Sequence, residues 1–285
     1  MAKQFNVNDF FARFPDDDAC LSHLMKIRFG ETLACPKCGK EGRFARLAKL
    51  PAYSCPWCGH HIHPMVGTPF AKSHVPLQKW FYAMFLFTTS RHGVSGKELQ
   101  RQLGVTYKTA YRMGIEIRKY MGSVDGDNGL SGHVEVDETL VGGKVYRRGH
   151  GQHLENKTIV FGMVERGGDV MTEVVPDTKR ATLEPIISAH VAEGSRISSD
   201  ESGAYVHLRT KYTHKAVHHA ANEYVWKDTH TNTIEGFWAI LKRSIRGTHI
   251  HVTAKKMHIY LGEFEYRYNM RKLPEVMFGR LLLSF

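Results

Sequence analysis

Apolar and polar residues follow two different rhythms along this chain. From His133 to Val141 they alternate, with Val134 and Val136 on one face and Glu135 and Asp137 on the other, which predicts a half-buried strand. Thr158 to Val164 and Asp169 to Val175 read as two further strands around Gly167-Gly168, a hairpin turn. Leu183 to Ala192 reads as a helix, Arg196 to Asp200 as a short strand, Tyr205 to Tyr212 as helical, and Lys215 to His218 as a fifth strand. Thr233 to Arg246 then carries a helical apolar stripe at Ile234, Phe237, Trp238, Leu241 and Ile245, and Met257 to Tyr268 is a further helix. Three antiparallel strands, a helix, then strand, helix, strand and closing helices predict an α/β domain with a mixed five-stranded sheet and flanking helices over residues 129–285.

The first half is organised differently. Residues 1–30 form a helical lead-in: Phe5, Phe10, Phe11 and Phe14 precede Pro15, and Asp16 to Asp18 offer an N-cap for a helix through Cys20, Leu21, Leu24, Met25 and Ile27. Residues 31–70 are rich in Cys, Gly and Pro, with short strands. Residues 76–122 read as helices, and Trp80 to Phe87 is apolar nearly all round, so that helix should be buried. Asp125 to Gly132, DGDNGLSG, is a turn-rich linker and the clearest boundary. The expected domains are therefore 1–30, 31–70, 71–128 and 129–285.

Within residues 31–70, Cys35-Pro-Lys-Cys38-Gly and Cys55-Pro-Trp-Cys58-Gly are near-copies of one knuckle, with sixteen residues between Cys38 and Cys55. Each knuckle sets two thiolates on a tight turn, and two knuckles complete a tetrahedral shell for a structural zinc ion. Redox use of the two C-x-x-C pairs fits the glycine-bounded, ribbon-like context poorly. Cys20 stands alone on an apolar helix face, as a core thiol would. His60, His61 and His63 lie close by, but four cysteines already fill the shell.

The formal charge of +11 favours a polyanionic partner. The longest apolar run is far too short for a spanning helix, and the amino terminus lacks an apolar signal segment. Together these point to a cytoplasmic protein acting on nucleic acid, with no membrane partner. Ser95 to Leu103, the turn Gly104-Val105-Thr106 and Tyr107 to Tyr120 have helix-turn-helix proportions; Gly104 suits a left-handed turn and Thr106 can cap the second helix. Lys108, Thr109 and Arg112 would then face DNA from the start of the second helix. On this segment alone a plain helical hairpin explains the pattern equally well; the neighbouring ribbon and the net charge favour DNA.

Asp137 lies mid-strand among valines, where a carboxylate is costly unless a metal compensates it. Asp200 ends the Arg196 to Asp200 strand, and the two aspartates converge if those strands are parallel neighbours. Glu235 sits beside the apolar stripe of its helix, with thirty-four residues between it and Asp200, and Lys242 follows two turns later on the same face. Three hard oxygen donors suit Mg²⁺ or Mn²⁺, and paired ions can activate an attacking oxygen and stabilise a leaving one. Asn232, one turn before Glu235, is the alternative third donor. Lys144, Arg147 and Arg148 in the loop after the Asp137 strand, with Lys242, Arg243 and Arg246 along the Glu235 helix, form a cationic group suited to DNA phosphates.

The stretches CPKCG…CPWCG, VEVDETLVGGK, SDESGAY, HTNTIEGFWAILKRSIRGTHIHV and YLGEFEYRYNMRK make the chain similar to bacterial insertion-sequence transposases of the ISXO type. The resemblance covers most of residues 30–272. It implies a zinc ribbon joined to an RNase H-like catalytic domain, with a DDE triad on Asp137, Asp200 and Glu235 and Lys242 as the associated basic residue. It further implies two Mg²⁺ (or Mn²⁺) ions, double-stranded DNA partners at element ends and target, and a homo-oligomer in the DNA complex. Two other classes compete with a transposase. A zinc-ribbon and helix-turn-helix regulator would leave the carboxylates without a task, whereas a simple RNase H-like nuclease would use the same metal site.

Overall fold

The computed structural model describes residues 5–126, 129–142, 157–200, 203–216 and 229–283. In chain order the elements are α1 (Val7–Arg13), α2 (Asp17–Phe29), β1 (Leu33–Ala34), β2 (Glu41–Gly42), β3 (Ala45–Arg46), β4 (Tyr53–Ser54) and β5 (His61–Ile62). Then come α3 (Leu77–Thr89), α4 (Gly96–Leu103), α5 (Tyr107–Asp125), β6 (His133–Val141), β7 (Thr158–Glu165), β8 (Val170–Val175) and α6 (Arg180–His190). β9 (Arg196–Ser199), a 3₁₀ helix (Gly203–Thr210), β10 (Thr213–Ala216), α7 (Asn232–Ser244), a π-helical turn (Ile245–His249), α8 (Ala254–Asn269) and α9 (Pro274–Leu283) complete the order. Packing divides the chain into two units: Met1–Ser90, Gly96–Tyr120 and Leu273–Phe285 form the first, Arg91–Ser95 and Met121–Lys272 the second.

Local signals set the helices of the first unit. Asn6 accepts from the amides of Asn8 and Asp9 while Asp9 accepts from the Asn6 amide, a reciprocal cap that makes α1 a helix of its own. Asp16 caps α2 by accepting from the Ala19 amide at 2.8 Å, as the acidic run predicts. Helix α3 buries Trp80, Phe81, Ala83, Met84, Phe85 and Phe87, in keeping with its all-round apolar pattern. The helix that completes this core comes from the far end of the chain. Phe278 of α9 meets the rings of Phe5, Phe10, Phe14 and Phe85 at 5.5–6.1 Å between centroids, and the Tyr120 hydroxyl donates to the Leu281 carbonyl at 2.8 Å. The tail after Lys272, expected in the catalytic domain, thus packs with the first unit, because its aromatic and aliphatic side chains fill that core.

The second unit contains the expected five-stranded sheet of mixed direction, in the order β10-β9-β6-β7-β8. β6, β7 and β8 pair antiparallel, whereas β9 joins β6, and β10 joins β9, in parallel. Parallel neighbours need a crossover; α6 and the 3₁₀ helix lie in those two connections. One sheet face buries Val134, Val136, Phe161, Met163 and Ile197 against Leu183 and Ile187 of α6 and against Tyr205 and Leu208. Helices α7 and α8 pack on β6, β7 and β8. The fifth strand begins two residues earlier than expected, at Thr213, while positions 217–218 of that expectation lie outside the described residues, and the Tyr205 to Tyr212 helix is 3₁₀ in form. The helix expected to run to Arg246 changes at Ile245 into a π-helical turn.

Candidate active site

The two cysteine knuckles of the first unit share one backbone design. The Cys35 amide donates to the Lys40 carbonyl and the Gly39 amide to the Cys35 carbonyl; Cys55, His60 and Gly59 repeat the pattern. Gly39 and Gly59 have φ of 72° and 70°, a left-handed conformation that a side chain would strain. The turns bring all four sulfurs within 4.8 Å of one another, with Cys35 and Cys58 at 3.6 Å and Cys38 and Cys55 at 3.9 Å. Zinc–sulfur bonds of about 2.3 Å in a tetrahedron require sulfur separations of about 3.8 Å, so the shell fits a structural zinc ion. His60, His61 and His63 stay outside it. Cys20 is fully buried, and burial, reinforced by Asp17 and Asp16, pushes its thiol up to about 12, as suits a core residue.

Helices α4 and α5 realise the anticipated turn. Gly104 has φ of 62°, and the Thr106 hydroxyl accepts from the Thr109 amide at 3.3 Å. Lys108 and Arg112 are exposed and Thr109 is half-buried at the start of α5.

In the second unit, strand β6 organises the acidic residues by its pleat. The parallel register sets Glu135 beside Ser198, so two residues further along each chain Asp137 and Asp200 come to the same level of the sheet. Asp137 faces α7, where the indole N–H of Trp238 donates to its Oδ2 at 2.9 Å. Burial, then the charges of Glu138 and Asp200, push the Asp137 carboxyl up to about 7, against the pull of that hydrogen bond. Glu138 points to the other face, where the Tyr205 hydroxyl donates to it; its carboxyl is raised by burial and by Asp200. Tyr205 belongs to the core on that face and draws Glu138 inward.

The approach of α7 to Asp137 depends on Gly162. This residue stands opposite Asp137 on β7, and a Cβ there would lie 2.5 Å from the Trp238 ring and 3.1 Å from Ile234. The bare backbone makes room for the indole. Glu235 and Lys242 precede and follow Trp238 by about one helical turn, so all three share the face turned to Asp137. Glu235 is exposed, and its Oε1 accepts from the Thr231 hydroxyl at 2.8 Å. Asn232 is exposed as well. Lys242 is half-buried; burial lowers its pKa, Asp137 opposes this, and Arg246 and Lys157 reinforce it. It lines an open groove with Ala239, Arg243, Arg246 and Gly247. Lys144, Arg147 and Arg148 lie outside the described residues.

Among the described residues, the four cysteines are the sole group of three or more Cys, His or carboxylate side chains tight enough to hold an ion as they stand. The structure brings Asp137 and Asp200 within electrostatic reach and lays the Glu235 helix across Asp137, but the three carboxylates do not form a closed ligand ring. Sequence reasoning missed two residues that shape this place, Gly162 and Glu135. Glu135 shares the face of Asp137 and is wholly buried, which is a signal in itself, because a carboxylate on a packed face needs partners.

Residues 129–269 match the ISXO2-like transposase domain, and residues 15–61 match the transposase zinc-ribbon domain. An uncharacterised protein in the transposable element ISH50 of Halobacterium salinarum is 28% identical over 273 residues, 88% of this chain and 90% of its own. A solved pre-cleavage Mos1 transpososome aligns with 72% of this chain and 78% of its own at 12% identity, with a TM-score of 0.28.

Proposed function

Because the chain belongs to the ISXO2-like transposases, carrying a transposase zinc ribbon ahead of its transposase domain, we propose the following reaction for it. It binds the ends of a mobile element, hydrolyses a phosphodiester there to leave a 3′-hydroxyl, and directs that hydroxyl onto a target phosphodiester, whose own 3′-oxygen departs. Asp137, Asp200 and Glu235 are the metal-holding residues in this reading, and the DNA complex is a homo-oligomer working in the cytoplasm.

The observation that carries the proposal is the half-buried Asp137 carboxylate, level with Asp200 and covered by a helix that presents Glu235 on one side and Lys242 on the other. Hard oxygen donors suit Mg²⁺ or Mn²⁺, and the raised pKa of Asp137, set first by burial and then by the charges of Glu138 and Asp200, reflects a cost to its ionised form that a divalent cation would relieve. Bound ions would lower the pKa of the attacking hydroxyl and neutralise the departing oxygen. The chain supplies the rest. Trp238 shields and orients Asp137, while Lys242, Arg243 and Arg246 line a groove suited to phosphates on either side of the bond that breaks. The zinc ribbon and the α4–α5 pair, through Lys108, Thr109 and Arg112, provide the contacts that select DNA.

The test uses labelled element-end duplex with Mg²⁺ and with Mn²⁺, scoring nicks and joined products. Asp137→Asn, Asp200→Asn and Glu235→Gln are expected to abolish both products while retaining DNA binding, and Asn232→Ala to be milder. A carboxylate holds a hard dication better than an amide carbonyl and also offsets its charge. If Glu235→Gln joins DNA nearly as well as the parent while Asn232→Ala is inactive, Asn232 is the third ligand. Nicks without joined products would identify a nuclease instead.

A further inference from the structure

The fully buried Glu135 is the most heavily bonded carboxylate at the sheet face that carries Asp137. Its Oε1 receives Arg166 Nε at 2.6 Å and the Thr233 hydroxyl at 2.8 Å, with His230 Nδ1 at 3.1 Å. Its Oε2 receives the backbone amides of Thr233 and Ile234 at 2.7 and 3.1 Å. Arg166 also reaches the His230 carbonyl through Nη2 at 3.0 Å. These partners lie 31 to 99 residues away in sequence.

Helix α7 has no side-chain cap from its own N-cap residue, Thr231. The first amides of a helix need acceptors, and its N-terminal end favours negative charge. Glu135 meets both needs from a neighbouring strand. The Thr231 hydroxyl is thereby free to serve Glu235, donating to Oε1 at 2.8 Å, while the Glu235 amide donates back to the Thr231 carbonyl at 3.0 Å. Strand β6 therefore holds α7 at two points on one face, Glu135 at the helix start and Asp137 at Trp238. Two fixed points on one rigid strand define both the height and the rotation of the helix.

We infer that Glu135, with Arg166 and His230, is a positioning residue that sets the Glu235 carboxylate relative to Asp137, and that Thr231 is the last link of this connection. The inference rests on the reading of Asp137, Asp200 and Glu235 as metal-holding groups. Groups that orient metal-binding residues commonly govern metal affinity by about 10- to 100-fold.

The experiment compares the full-length parent protein with Glu135→Gln, Thr231→Val and Asp137→Asn. Mn²⁺ binding is measured by paramagnetic titration without DNA, amide exchange of residues 231–235 in metal-free protein, and affinity for a labelled duplex separately. Glu135→Gln is expected to weaken Mn²⁺ binding about tenfold or more, to accelerate exchange at Thr233 and Ile234, and to leave duplex affinity unchanged. Thr231→Val should weaken Mn²⁺ binding by a smaller factor with no change in exchange at Ile234. A purely structural Glu135 would lower thermal stability and leave Mn²⁺ affinity at the parent value. Parent-like Mn²⁺ affinity in both Glu135→Gln and Thr231→Val overturns the inference, and should Glu135→Gln fail to fold, Thr231→Val decides it. Failure of the underlying reading looks different: the parent and Asp137→Asn would then bind Mn²⁺ equally.

Discussion

Gly162→Ala adds one methyl group at the place where helix and sheet come closest to the proposed site. Its Cβ would stand 2.5 Å from two Trp238 ring atoms, closer than real Cβ contacts occur, and Ile234 lies at 3.1 Å. The indole is buried and tethered to Asp137 at 2.9 Å, so it cannot retreat without breaking that bond. Overpacking costs about 1–3 kcal/mol, and loss of a hydrogen bond to an ionisable group about 1.5–3 kcal/mol. Alanine's lower backbone entropy returns about 0.5–1 kcal/mol in a strand, and the net expectation is a destabilisation of about 1.5–5.5 kcal/mol. Urea unfolding measures it directly. A double-mutant cycle with Trp238→Leu isolates the clash: once the ring is gone, Gly162→Ala should be nearly neutral. Strand transfer should fall at least about tenfold in the single variant, because α7 is pushed away from Asp137. A Gly162→Ala protein with parent stability and parent activity would show that Trp238 does not hold the helix in place.

The zinc shell predicts that Cys38→Ser or chelation unfolds the ribbon and weakens DNA binding while the second unit stays folded, because a closed thiolate site contributes folding energy; full DNA affinity at near-zero zinc stoichiometry would exclude this. Replacing Lys242 and Arg246 together by alanine should flatten the slope of log affinity against log salt by about one unit for each lost phosphate contact; an unchanged slope would place DNA elsewhere. Glu265 on α8 is pushed up to about 7 by burial, against hydrogen bonds from Thr172 and with help from Asp125. The unfolded chain gives up this proton first, so stability should fall as pH rises from the ordinary carboxylate range through about 7. Glu265→Gln should remove on the order of 3 kcal/mol of that fall; an identical pH profile of the unfolding midpoint would refute the assignment.

Features built from neighbouring residues were legible in the sequence. Alternation fixed β6 to its ends, the Gly167-Gly168 turn marked the β7–β8 hairpin, and the repeated C-x-x-C-G knuckles described their own turns. Asp137 was legible because a carboxylate among valines contradicts its surroundings. The missed features depend on distant partners. Nothing near Glu135 announces that it caps a helix 98 residues later, although an uncapped α7 and a second carboxylate on the Asp137 face are complementary clues. Gly162 reads as an ordinary strand glycine until Trp238 is placed upon it. The π-helical turn after Ser244 has no periodic signature, since an apolar stripe continues through it. The tail after Lys272 offers aliphatic residues and Phe278 without saying which core they complete.

The packing of α9 has a consequence for synthesis on the ribosome. Phe10, Phe14 and Phe85 emerge early, but the ring that closes over them, Phe278, emerges only after the whole second unit. The first unit must therefore wait as an open aromatic surface while the later one folds, a state prone to aggregation. A translation product cut short within the sheet domain would carry its zinc knuckles and its helix-turn-helix segment but lack this closing helix. Such fragments should be insoluble or quickly degraded.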